Sequence, residues 1–491
     1  MKHSSRALTK STGFGQLLNG IFWNAFAVLG TKGLPFLQAL VLTRFLSPDE
    51  FGSLSFVVAV YTTVSPIVDW GLAYSLQKQV AESDNKDSTI LLAFVMRVIL
   101  SMIVGGICWS MDVRGHVFRG YGFYVFLWVV FSSFQVPLFA LNAQLLYWQG
   151  SILTFSLGLW TVLLTFAGIW MGLRIIAPLW AQALAFLLVG GIGMRLALRH
   201  FTLRPDQWRR EWFDILKFGF SVMIIGTLTA FTPQVGLIVI TYLRGVADTA
   251  VLRVASLLTQ PLTILGSVVL LPFLPLASTL HTRRMTVELS DLVGKIFRYL
   301  LLLGVPCILG GMALAVPLIV VGGGELYRDG ALAFRWLLVA SLMTMFFTAL
   351  SSVPLMADGV RFLTFTVGLQ AFLALILTIV LVLYWGLIGA AVALIIANVA
   401  GLALLFRWFV QHLPFQLEWY RYINYLVAGL IMALVVWLLD RALEAYAGDF
   451  IRVSVGIGVG GLMYGTMLLT TGAVSRSEIS QLRGLVGKQG I

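Results

Sequence analysis

The chain is a succession of about fourteen apolar runs, each close to the roughly 20 residues that a helix rising 1.5 Å per residue needs to cross a bilayer, with only short stretches between them. A run of that length buried in lipid closes its own backbone hydrogen bonds as a helix. The expected fold class is therefore all-α: a polytopic membrane protein of about 14 transmembrane helices. The runs fall at 17-43, 51-75, 89-111, 122-146, 151-172 and 177-198, then at 214-243, 250-276, 294-322, 332-356, 363-385 and 387-410, with a last pair at 422-440 and 451-471. Short turns at Gly150 and Gly386 divide two of these pairs. Composition agrees: 59% of residues are hydrophobic and 11% charged, whereas soluble domains carry about 25% charged residues.

A formal charge of +12 raises nucleic acid as a partner, so the positions of the basic residues decide the matter. They cluster between apolar runs, as in the loop holding Arg199, Arg204, Arg209, Arg210 and Lys217 and in the loop holding Arg283, Arg284, Lys295 and Arg298. That pattern reads as membrane topology rather than as a nucleic-acid surface. With the N-terminus placed in the cytoplasm, inner segments outnumber outer ones roughly two to one in Lys and Arg, so both termini are expected to be cytoplasmic. Lys2, Arg6 and Lys10 precede a first run too long for a signal-peptide core, which makes it an uncleaved first helix. Cys108 and Cys307 lie within apolar runs, and the five histidines are scattered over loops, so neither a disulfide framework nor a metal site is expected. Gly322-Gly323-Gly324 is followed by Glu325 rather than Lys-Ser or Lys-Thr, which argues against ATP hydrolysis by this chain.

The two halves look alike. Asn24, Thr31 and Gln38 are spaced by seven in the first run, and Thr227, Gln234 and Thr241 repeat the pattern 203 positions later. A spacing of seven drifts only about 20° per step on a helix, so each set forms one polar stripe. Arg44 and Arg244 close the two runs, and Phe14-Gly15 returns as Phe218-Gly219. Such stripes serve either as helix-packing contacts or as cavity walls. The repeat suggests a duplicated six-helix unit: a cytoplasmic segment 1-16, an N-lobe 17-198, a cytoplasmic linker 199-213, a C-lobe 214-410, two further helices over 422-471 and a cytoplasmic tail 472-491. No loop is long enough to form a domain of about 50 residues.

Ionisable residues deep in a membrane are costly and face a cavity or a partner. Lys32 stands beside the first stripe, just before Gly33-Leu34-Pro35, and is expected to face the cavity; snorkelling toward the surface is the other reading. Asp69 and Arg97 lie at a similar depth, either as a structural salt bridge or with a role in transport. Arg195 is near enough to an end to snorkel. Arg253 and Gln260 share a face by their spacing of seven, and Pro261 offers a bend. The buried set is net cationic, which suits an anionic substrate such as a diphosphate headgroup.

Arg44-Phe45-Leu46-Ser47-Pro48-Asp49-Glu50-Phe51-Gly52 resembles the signature joining the first two helices of bacterial polysaccharide and O-antigen flippases, in the multidrug/oligosaccharidyl-lipid/polysaccharide exporter superfamily. Asp69-Trp70-Gly71-Leu72 is similar to the element ending their second helix, and Leu271-Pro272-Phe273-Leu274-Pro275-Leu276-Ala277-Ser278 to the end of their eighth. The resemblance implies no enzyme activity but export of undecaprenyl-diphosphate-linked sugar repeat units by alternating access. It also implies a cationic cavity between two lobes and residence in the bacterial cytoplasmic (inner) membrane. Membrane lipids and a polysaccharide polymerase or assembly proteins would be its partners. No cofactor is implied, and a coupling ion, H+ or Na+, stays open. Family members often carry a carboxylate on helix seven where this chain has Gln234, which leaves a proton site there without support. A cation-coupled drug or metabolite antiporter of the same superfamily is the alternative. An integral-membrane polymerase or ligase is another, although those usually have a large outer loop.

Overall fold

The computed structural model describes residues 23, 26-73, 75-76, 86-115, 117-118, 120-144, 146-198, 205-270, 273-283, 285-356, 359-413 and 419-471. Asn24, the segment 1-16, the linker residues 199-204, Leu271, Pro272 and the tail 472-491 lie outside them. Among the described residues, 13 helices are long and apolar enough to cross a membrane. The longest, Val360–His412, bends at Gly386 with φ 58° and ψ −130°. The protein is an all-helical multi-pass membrane protein, and counting the two arms of that helix gives 14 candidate spans among the described residues.

The spans are α1 (Phe26–Phe45), α2 (Pro48–Asp69), α3 (Ser88–Gly115), α4 (Gly122–Asn142), α5 (Trp148–Trp170), α6 (Ile176–Ala197), α7 (Gly219–Leu243) and α8 (Val246–Ser267). They continue as α9 (Thr286–Ala313), α10 (Glu325–Pro354), α11 (360-385), α12 (387-412), α13 (Tyr420–Leu443) and α14 (Asp449–Thr470). A short helix, Phe273–Thr282, follows α8. The turn expected at Gly150 comes earlier, because α4 ends at Asn142 and Gly150 is already buried inside α5. Outward faces are apolar: Ile99, Met102, Ile103 and Ile107 of α3 are all about half exposed, as a lipid-facing stripe requires.

Proline breaks four helices of the first eight. Pro35 has no N–H for the carbonyl one turn back, and α1 widens into a π-turn over Leu29–Gly33. Pro137 and Pro233 produce the opposite result, tightening α4 over Ser132–Gln135 and α7 over Thr232–Gln234 into 3-10 turns. Before Pro261, α8 is interrupted at Thr259, whose hydroxyl donates to Ser256 O at 2.8 Å. Arg253 and Gln260 therefore do not stand on one continuous helix, and their spacing of seven no longer defines a common face.

The chain divides into two compact units, one comprising residues 1-253 and 360-397 and the other 254-359 and 398-491. In the first, the Arg44-to-Gly52 signature is a helix end followed by a helix start. Ser47 and Glu50 form a reciprocal capping box at the head of α2, with Pro48 in its first turn. Glu50 also pairs with Arg174, in the turn between α5 and α6, at 2.9 Å. Arg44 and Arg244 sit at the carbonyl ends of α1 and α7, where a cation complements the helix dipole. Arg244 is further paired with Asp248 at 2.8 Å. At the opposite end of α2, Trp70 takes a left-handed conformation and donates its indole N–H to Leu216 O at 3.2 Å. Asp112 fixes the turn between α3 and α4 by accepting from the backbone N–H groups of Phe118, Gly120 and Gly122.

The second unit has its own apolar core, in which Leu314 packs with Tyr425, Met432 and Val436 of α13 and Tyr464 of α14. Tyr464 donates to Leu302 O at 3.1 Å. Arg452 of α14 grips both carboxylate oxygens of Asp440 on α13, at 2.9 and 3.0 Å, and Asp449 at 2.9 Å, so the last hairpin is pinned by a bidentate pair.

Candidate functional site

A cavity of about 390 Å³ lies inside the first unit, walled by α1, α2, α4, α5 and α6, with Arg253 of α8 completing it. Its shape depends on a close crossing of α1 and α5. A Cβ on Gly158 would come within 2.0 Å of the Gly30 carbonyl oxygen, so only glycine allows the two backbones to meet there. The π-turn at Leu29–Gly33 then carries Thr31 to the wall, and Gln38 follows two turns later.

The wall mixes aromatic and polar groups. Tyr61 and Trp128 lie in face-to-face contact, with ring centroids 3.9 Å apart and planes 14° from parallel, and Phe51 and Phe186 add further apolar surface. Thr62, Ser65, Gln135, Thr161 and Gln182 contribute polar groups. Among the described residues that line the cavity, Arg253 is the only one with a charged side chain.

Two glutamines are oriented by what lies behind them. Arg97, 1% exposed, pairs with Asp69 through Nη1 and gives Nη2 to Gln135 Oε1 at 2.9 Å. Arginine can only donate, so Gln135 must turn its oxygen to Arg97, which leaves its amide nitrogen for the cavity. Gln38, 7% exposed, does the reverse. The Thr165 hydroxyl already donates to Thr161 O at 2.7 Å, so it accepts from Gln38 Nε2 at 2.8 Å and leaves Oε1 for the cavity. The wall thus presents one fixed N–H donor and one fixed acceptor beside an aromatic pair and a guanidinium. The guanidinium of Arg97 also lies 5.5 Å from the centroid of the Phe139 ring.

Of the expected site residues, Thr31, Gln38 and Arg253 line this cavity. Lys32, on the π-turn, is exposed and is not among the lining residues. Asp69 and Arg97 form the ion pair that buttresses Gln135. Thr227, Gln234, Thr241 and Gln260 are not among the lining residues. Thr241 of α7 donates to Leu237 O one turn back at 2.7 Å and meets the Thr249 hydroxyl at the start of α8 at 2.9 Å. The Thr227 hydroxyl and the Gln234 Oε1 are buried with no partner among the described residues. Sequence reasoning passed over Gln135, Gln182, Tyr61 and Trp128. The two glutamines carried a readable signal, since a polar amide within an apolar run rarely faces lipid.

The fold is that of known transporters. The lipid II flippase MurJ, in its inward closed conformation, superposes with a TM-score of 0.67 at 13% identity, covering 94% of this chain and 98% of that one. A mutant of the Vibrio cholerae MATE transporter VcmN gives 0.59 at 14% identity, covering 82% and 98%. A stretch of 153 residues is 30% identical to MntP of Klebsiella pneumoniae (strain 342), a protein provisionally named as a manganese efflux pump, and spans 30% of this chain and 78% of that one. Manganese calls for a set of oxygen ligands such as carboxylates, and no group of three His, Cys, Asp or Glu comes together among the described residues. The model of the polysaccharide biosynthesis protein family matches residues 17–281, more than half of the 491 residues, and the chain belongs to that family.

Proposed function

We propose that the protein flips undecaprenyl-diphosphate-linked oligosaccharide repeat units across the cytoplasmic membrane by alternating access, for O-antigen, capsule or exopolysaccharide synthesis. The N-lobe 17-198 and C-lobe 214-410 move about the linker 199-213, with both termini cytoplasmic and polymerase or assembly proteins as downstream partners. One observation carries this reading: among the described residues that line the cavity, the one charged side chain is the cation Arg253. A phosphate that leaves water must exchange its hydration for fixed donors and positive charge, and a guanidinium offers both in phosphate-matching geometry. The transporter fold fits the drug-antiporter alternative equally well. Among the described lining residues, however, there is no carboxylate to meet a cationic drug.

The test is a reconstituted flipping assay with fluorescent undecaprenyl-diphosphate-linked sugar, read by quenching of the outer leaflet. Arg253→Ala should slow flipping at least tenfold and Arg253→Lys should keep part of the rate, because charge survives while the bidentate fork is lost. Wild-type rates from an Arg253→Ala protein that inserts normally would remove the cavity from the transport route.

A further inference from the structure

We propose that the cavity reads the sugar next to the diphosphate, and that it selects an uncharged pyranose by the opposed polarity of Gln135 and Gln38. The inference rests on the flippase reading for its lipid but on separate observations for its sugar.

A sugar ring has apolar C–H faces and a rim of hydroxyls, each of which both donates and accepts. The wall meets both properties. Tyr61 and Trp128 supply aromatic surface, while Gln135 presents a donor and Gln38 an acceptor, each oriented from behind by a hydrogen bond. Arg97 is thus a positioning residue, acting on the sugar through Gln135. Trp128, 7% exposed, has an indole N–H with no acceptor among the described residues. A buried donor in that condition is costly until something supplies an acceptor. The cavity, at about 390 Å³, falls at the small end of the roughly 300–1,000 Å³ typical of ligand sites, room for a ring or two rather than a whole repeat unit.

Charge narrows the choice. With the diphosphate on Arg253, no second cation among the lining residues remains for a uronic or sialic acid. An acidic first sugar would enter a low-dielectric site with its carboxylate unpaired, whereas a neutral one brings only hydroxyls, which the wall's donor and acceptor can meet.

The experiment measures binding of three lipids to the full chain in nanodiscs: undecaprenyl diphosphate alone, with one neutral hexose, and with one hexuronic acid. Wild-type protein should hold the neutral glycolipid about tenfold more tightly than the bare lipid, and the acidic one no more tightly than the bare lipid. The ratio of neutral to bare lipid should fall toward one in two variants. Gln135→Glu keeps an acceptor for Arg97 but removes the cavity's donor, and taking a ratio cancels the added charge. Gln38→Met removes the acceptor while the Thr165 hydroxyl keeps its bond to Thr161 O. A wild-type ratio near one, a preference for the acidic sugar, or a preference surviving both variants would overturn the sugar site.

A second arm uses free methyl glucoside and saturation-transfer NMR on wild-type and Gln38→Met protein. Signal in the first and none in the second supports the sugar site even if no lipid is flipped, a result that would sink only the flippase reading. Equal signals in the two proteins would sink the sugar site alone.

Discussion

Helices α1 and α7 carry the same polar spacing in sequence and use it differently. In α1 the helix widens at Leu29–Gly33, Thr31 reaches the cavity wall, and Gln38 is tied across to Thr165 on α5. In α7 the helix tightens at Thr232–Gln234, Thr241 bonds within its own neighbourhood, and both Thr227 and Gln234 keep a buried oxygen without a partner among the described residues. A π-turn adds residues to a turn and a 3-10 turn removes them, so a spacing of seven no longer means one face once a proline has reset the pitch. Equal spacing does not by itself assign equal roles; the local pitch decides which polar groups find partners.

The largest effect should come from the network behind the α1 cavity. Arg97→Leu leaves the Asp69 carboxylate without its cation and Gln135 without its anchor, and Asp69→Leu leaves Arg97 charged and buried. Breaking a buried pair from one side costs about 3–5 kcal/mol, and removing both partners costs less. Thermal unfolding in detergent should therefore place the double variant above either single one. Equal losses in all three would mean that the pair is not a coupled unit, and the contrast with α7 would lose its main support.

A smaller effect separates the two stripes directly. Gln38→Leu removes a hydrogen bond that joins two helices, and such bonds in membranes are worth about 0.6 kcal/mol on average and about 1.7 at most. Thr241→Val should cost less. Its hydroxyl proton already serves Leu237 O and that of Thr249 serves Gly245 O, so the contact between the two hydroxyls has no proton of its own. A Thr241→Val protein less stable than Gln38→Leu would reverse the comparison.

Much of this was legible in the sequence. Helix number followed from run length, the α2 start from Ser47-Pro48-Asp49-Glu50, and the Asp69–Arg97 pair from matched depth. Arg253 was legible as a cation within a span, and Pro35 and Pro261 as bends. The sense of each distortion was not, because proline removes one donor whether the chain answers by widening, tightening or breaking. Lys32 drew attention through its depth, yet depth alone does not say which side of a widened turn a residue occupies. Gln135 was missed because its importance comes from Arg97 on another helix, a contact between residues 38 positions apart that no local pattern records.

The smallest expected effect tests the other half of the contrast. A buried polar atom without a partner has lost its hydration for nothing, a penalty of about 1–3 kcal/mol, so replacing it by an apolar group of similar shape removes the penalty along with the atom. Thr227→Val and Gln234→Met should therefore leave the unfolding temperature unchanged or raise it slightly, unlike Gln38→Leu on the matching stripe. Loss of more than about 1 kcal/mol in either protein would mean that the oxygen is satisfied in the membrane, by water or by a neighbour, and that α7 is as well knit as α1. Unchanged stability with slower flipping would have a different meaning. An oxygen that contributes nothing to the fold yet is needed for turnover must meet its partner in another conformation of the cycle, and Thr227 and Gln234 would then belong to the transport path that their spacing first suggested.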